Sequence, residues 1–122
     1  MAMTCSIDDA ARLELLPAAA LFRSLSDSVR LAIIRRLAVD EARVVDLTSE
    51  LGLAQSTVSK HLACLRDCGL VDFRSEARQS FYRLARPELI DMLTAAEAVL
   101  EATGEAVAIC PNYGTDSCGQ EA

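Results

Sequence analysis

Tryptophan is absent from the 122 residues, and phenylalanine and tyrosine together bring the aromatic content to only 4%. A β-sandwich or barrel is therefore disfavoured, and the wealth of Ala and Leu points to helices. Long hydrophobic runs are also missing, since none approaches the roughly 18 residues of a membrane span. Residues 1–9 hold no basic stretch ahead of an apolar block, so no secretory signal is expected. Histidine occurs once, at position 61, and no Cys-His-Asn/Asp arrangement for nucleophilic catalysis is evident. These absences predict a cytoplasmic protein that is neither membrane-bound nor an enzyme. In that compartment the five cysteines stay reduced, and thiols there more often mean metal or redox chemistry than disulfides.

What is present amounts to one domain: 52% hydrophobic residues for a core and 25% charged residues for solubility. Residues 1–104 are expected to form this domain and 105–122 a flexible, cysteine-containing tail. The net charge of −6 argues against an unspecific nucleic-acid coat, but it is unevenly spread. Residues 54–83 carry five basic against three acidic side chains, a local +2 that leaves −8 elsewhere. From Pro87 onward there are seven acids and no Lys or Arg. A locally basic middle can touch phosphate in an acidic protein, because local potential acts over about 10 Å.

Along the chain, Ile7, Ala10, Ala11, Leu13 and Leu16 make a loose helical pattern over 6–16, and Pro17 suits the first turn of a helix ending near Leu25. Ser26-Asp27-Ser28 is a cap signal, followed by an apolar face of Val29, Leu31, Ile33, Ile34 and Leu37. A short helix over 44–51 ends at Gly52, and another runs from about Ala54 to Cys68 with Gly69 as its stop. Strands over 70–74 and 80–84 follow, joined by the polar residues 75–79. Pro87 opens a last helix whose Leu89, Ile90, Leu93, Ala96, Val99 and Leu100 recur at three and four.

The two helices joined by Leu51-Gly52-Leu53 fit a helix-turn-helix. The second would present Gln55, Ser56, Thr57, Ser59 and Lys60 early, at the end that reaches base edges in the major groove. Amide and hydroxyl groups suit base edges, and Lys60 suits phosphate. The hairpin adds Arg74, Arg78 and Gln79 as a wing. The predicted fold is mainly α with a small β-hairpin wing, a winged helix-turn-helix of order α-α-α-α-β-β-α.

The blocks Leu25-Ser26-Asp27-x-x-Arg30 and Ser59-x-His61-Leu62-x-x-Leu65-x-x-x-Gly69-Leu70-Val71 appear in this order and resemble the ArsR/SmtB metalloregulators over roughly residues 20–85. Ser28 stands where that family often has Pro, a harmless change at a helix start. The resemblance implies a homodimeric winged-helix repressor that leaves its operator DNA, an inverted repeat, when metal binds.

Cys64 and Cys68 are four apart on the second helix of the motif, so their Cβ atoms share a face about 5–6 Å apart. Metal–sulfur bonds of about 2.3 Å let one ion bridge such a pair. A disulfide fits badly, because the two Cβ vectors run parallel. Val58, Leu62 and Leu65 form the core face of this helix, and the cysteines flank it. The plainer reading is two small hydrophobes. A soft ion needs a third thiolate, and Cys110, Cys118 and Cys5 are the candidates. The pair resembles the cadmium- and lead-sensing CmtR branch of the family, in which a tail cysteine of the other protomer completes a trithiolate site. Cys110 matches that position, Cys118 is an extra, and Cys5 has a counterpart near the start. The effector implied is Cd(II) or Pb(II), with no organic cofactor.

Other metal sites of the family are not matched. Residues 87–103 lack the histidine of the zinc-sensing type, and Arg43-Val44-Val45-Asp46 lacks a Cys-x-Cys pair. His61 is a conceivable fourth ligand, but its place in the block favours packing or phosphate contact. The alternatives are an arsenite- or redox-sensing repressor using the same cysteines, and a winged helix used for protein contacts.

Overall fold

In the computed structural model, which describes residues 9–104, helix α1 (Asp9–Glu14) and helix α2 (Leu16–Ser24) are separated by a break at Leu15. Pro17 accounts for it: it has no N–H for the Leu13 carbonyl, and its ring collides with that carbonyl in a continuing helix. The predicted order counts four helices before the hairpin. Among the described residues there are five, because the loose pattern over 6–16 condenses into α1.

Helix α3 (Ser28–Leu37) starts where the cap signal places it. The Asp27 carboxylate accepts from the backbone N–H of Val29 at 2.7 Å and of Arg30 at 3.2 Å. Helix α4 (Val44–Leu51) is held at its start by Asp46, which accepts from the Arg43 backbone N–H at 3.0 Å. It ends at Gly52, whose φ of 68° and ψ of 35° turn the chain left-handed, with the Gly52 N–H donating to the Thr48 carbonyl at 2.9 Å. A Cβ here would meet nothing within 4 Å, so backbone conformation rather than crowding calls for glycine. Helix α5 (Gln55–Asp67) follows after three residues and closes the helix-turn-helix.

Strands β1 (Val71–Glu76) and β2 (Gln79–Leu84) pair antiparallel, from Val71 opposite Leu84 to Glu76 opposite Gln79. The predicted five-residue link 75–79 is therefore corrected to a two-residue turn, Ala77-Arg78. Both residues lie in the left-handed region, with φ of 52° and 70°. Such primed turns match the twist of the flanking strands, so the ladder continues to the tip. Ala42 adds a short third edge through two backbone hydrogen bonds with Tyr82, at 3.0 and 2.8 Å.

The core lies where α3, α4 and α5 meet: Ile33, Ile34, Leu47, Val58, Leu62 and Leu65 are fully buried, and Val71 seals the hairpin side. Helix α6 (Glu88–Ala102) contributes Leu89 and Leu93. The rest of its predicted stripe is only partly covered: Ala96 and Leu100 are half-buried, Ile90 is exposed and Val99 is 61% exposed. Leu13, Leu15, Leu16 and Phe22 of the first two helices and their link are likewise exposed, so the described residues leave much apolar surface uncovered. Glu88, Asp91 and Glu101 of α6 also face solvent. Among the described residues no helix is long and apolar enough to cross a membrane.

Candidate nucleic-acid interface and thiol pair

Helix α5 has distinct faces. Val58, Leu62 and Leu65 are buried, which fixes the roll of the helix and turns Gln55, Ser56, Ser59 and Lys60 outward. Thr57 is half-buried. No side chain caps the first turn at Ala54; the Thr57 N–H donates to the Ala54 carbonyl at 3.1 Å, and the N–H groups of Gln55 and Ser56 ahead of it have no side-chain cap. Amide, hydroxyl and ammonium groups thus stand together on one exposed turn.

His61 points elsewhere. It is half-buried, and its Nδ1 accepts from Arg30 Nε of α3 at 3.1 Å. The structure gives this side chain a packing role against α3. The Arg30 side chain, which the sequence analysis named only as part of a family block, also donates through Nη1 to the Ser24 carbonyl at 3.2 Å.

The wing residues differ among themselves. Arg78 is exposed at the tip of the turn. Arg74 is internally committed: Nε and Nη2 fork onto Glu41 at 3.0–3.2 Å, Nη1 meets Glu76, and the guanidinium lies 4.7 Å from the Phe81 ring. These carboxylates hold its pKa above the ordinary arginine value. Such an arginine braces the hairpin against the loop before α4 and has little left for phosphate. Gln79 is partly committed as well, its Oε1 accepting from Arg43 Nη1 at 3.3 Å. Arg43 in turn forks onto Asp46 at 2.9 and 3.1 Å, which pushes the Asp46 carboxyl down to about 2.

Cys64 is half-buried and Cys68 exposed, so neither fills the core. The Cys68 N–H donates to the Cys64 carbonyl at 3.1 Å, which keeps the two in the one-turn relation of a continuous helix. The Cys68 sulfur lies 2.9 Å from Oγ of Ser24, beside a cleft of about 160 Å³ lined by Pro17, Ala20, Leu21, Ser24 and Cys68. Two accessible thiols on one turn fit a soft ion by donor chemistry. Among the described residues no group of three His, Cys, Asp or Glu side chains could hold a metal, so the pair is incomplete by itself. Cys110, Cys118 and Cys5 lie outside the described residues.

Residues 27–72 match the model of the bacterial regulatory proteins of the arsR family. The biofilm growth-associated repressor of Agrobacterium fabrum is 38% identical over 87 residues, which cover 71% of this chain and 74% of that protein. The chain belongs to the ArsR family. This ArsR-family chain is also 39% identical over 87 residues to the HTH-type transcriptional regulator CmtR of Mycobacterium bovis, covering 71% of this chain and 69% of that one. A solved homodimeric winged helix-turn-helix DNA-binding domain from Mycobacterium bovis superposes with a TM-score of 0.70 at 27% identity, over 86% of this chain and 94% of that one. The fold is thus the winged helix-turn-helix, and the family is one of DNA-binding transcription regulators rather than enzymes.

Proposed function

We propose that this ArsR-family regulator is a metal-responsive repressor: a homodimer that binds an inverted repeat in its operator DNA and is released by Cd(II) or Pb(II). The observation that carries this reading is the position of Cys64 and Cys68, accessible and one turn apart on the helix whose opposite end presents Gln55, Ser56, Ser59 and Lys60. A soft divalent ion, when bound, supplies strong bonds to thiolate sulfur. Cys64 and Cys68 would give two of those sulfurs and Cys110 of the tail the third, with Cys118 and Cys5 as further thiols. The 39% identity to CmtR supports the choice of ligands, since the sequence blocks around this pair resemble that branch. The domain is 1–104, and 105–122 is the tail that brings the third sulfur.

The rest of the chain supports a dimer. Leu13, Leu16, Phe22 and Val99 form apolar surface that a second copy would cover, and a two-fold pair of α5 helices reads a two-fold repeat. Ligand binding to the DNA-free form must be tighter than to the bound form, and linkage then requires weaker operator binding. A coupling of about 1–3 kcal/mol is typical and corresponds to roughly 5–150-fold.

The test is fluorescence anisotropy on DNA from upstream of the gene, with salt varied and with cadmium, lead, zinc or arsenite added. Binding should weaken with salt, and cadmium and lead should release the DNA. Cys64→Ser and Cys68→Ser should bind DNA as before and lose the release. Full release in both variants rejects the thiol pair. Release by arsenite alone moves the effector to that ion.

A further inference from the structure

Cys68 has a built partner. The Ser24 side chain beneath it is only 6% exposed, and its hydroxyl donates to the Ala20 carbonyl at 3.1 Å. With that proton committed, the thiol proton of Cys68 fills the second contact, at 2.9 Å. The Ser24 carbonyl accepts from Arg30 Nη1 at 3.2 Å, and Nε of the same guanidinium reaches His61 Nδ1 at 3.1 Å. His61 and Cys68 are seven residues apart, two turns of helix, so they share one side of α5. Both ends of that side are therefore tied to one corner between α2 and α3. Asp27, which caps α3, adds its negative charge beside Arg30 and His61.

We propose that Ser24 and Arg30 are positioning residues for α5, gripping it at Cys68 and at His61, and that a group bonded to the Cys68 sulfur breaks this grip and weakens DNA binding. The proposal rests on the reading of α5 as the DNA-reading helix. A substituted sulfur has no proton to give, and the added group displaces it from Ser24. The Ser24 hydroxyl then keeps only its Ala20 contact, and the direct tie from α2 to the end of α5 is gone. The guanidinium is a rigid planar fork, so a shift of the Ser24 carbonyl is passed to Nε and to the His61 ring. Both residues lie outside the thiol pair and the exposed polar turn, so their effect reaches DNA only through α5.

The full-length chain with Cys5, Cys64, Cys110 and Cys118 replaced by Ser keeps Cys68 as its one thiol. Methyl methanethiosulfonate then forms a methyl disulfide there: the thiolate bonds the reagent's sulfenyl sulfur, and methanesulfinate leaves. One readout is anisotropy on the upstream DNA. The other is the long-range ¹H–¹⁵N NMR spectrum of His61, the only histidine in the chain and so self-assigned. Modification should shift the Nδ1 resonance and weaken DNA binding at least fivefold. Ser24→Ala should do both without modification, and the two losses should not multiply. Ser24→Thr keeps the hydroxyl, has the adjoining cleft to receive its methyl group, and should restore the unmodified behaviour. Arg30→Lys keeps the charge but loses the fork, and modification should then leave His61 unmoved. A His61 signal that ignores modification of Cys68, or losses that multiply, overturns the proposal. A responsive His61 in a protein that binds no DNA supports the grip and removes the DNA-reading role of α5.

Discussion

The hairpin tip is the place to test the backbone described above. Ala77 and Arg78 hold φ of 52° and 70°, and the left-handed region costs an L-residue about 1–2 kcal/mol. Glycine escapes that cost but loses about 0.5–1 kcal/mol to the greater freedom of the unfolded chain. Ala77→Gly should therefore stabilise the protein by about 0.5–1 kcal/mol, a net of the two effects. Asn at 77 with Gly at 78 is the preferred pair for such a turn and should gain about 1–2 kcal/mol. For a domain near 100 residues, 1 kcal/mol moves the thermal midpoint by about 4–8 °C. Calorimetry at one fixed protein concentration reads this, because self-association would shift the midpoint by mass action. The paired variant also removes the Arg78 guanidinium, so its DNA affinity should fall and the slope of log affinity against log salt should drop by about 0.9. A more stable protein with weaker DNA binding is the expected split. An unchanged or lower midpoint in Ala77→Gly and in the paired variant would refute the left-handed turn.

Leu62→Ala should cost about 2–5 kcal/mol in urea unfolding, because Leu62 is fully buried at the meeting of α3, α4 and α5 and a cavity would remain. Lys60→Ala should lower the salt slope of DNA binding by about one phosphate without changing the thermal midpoint. Arg74→Ala should do the reverse, since its fork is spent on Glu41 and Glu76. The Asp46 carboxyl, lowered from 3.8 to about 2 by Arg43, contributes stability that is complete above the unfolded value. That contribution fades as pH falls from about 4 toward 2. Asp46→Asn should flatten urea midpoints over that window, and an unchanged pH profile would show the pair to be without effect.

What the sequence made legible is what neighbouring residues decide. Asp27 caps α3 because its carboxylate reaches amides two and three residues on. Gly52 ends α4 because only its own φ matters, and Val58, Leu62 and Leu65 face the core because helical spacing puts them there. The helix-turn-helix and the flanking position of the two cysteines follow from such local rules. The turn at Ala77-Arg78 was hidden, because neither residue favours a left-handed backbone and strand pairing imposes it. Arg74 reads as a phosphate contact until Glu41, 33 residues away, is brought against it. Ser24 and Cys68 are 44 residues apart, and no spacing rule could have joined them. The thiol pair itself was visible, and the third sulfur proposed for it, Cys110, lies outside the described residues.

Helix α5 is crowded with duties. Of its residues from Gln55 to Asp67, three are sealed in the interior, four stand on the polar turn, His61 is held by Arg30, Arg66 lies over Phe73, and Cys64 belongs to the thiol pair. Thr57, half-buried, and Ala63 and Asp67, both on the outside, carry none of these assignments. Divergence between descendants of this chain therefore has little freedom here. On the proposed reading of α5, a change in which effector is sensed and a change in which site is recognised would have to be negotiated within the same few turns.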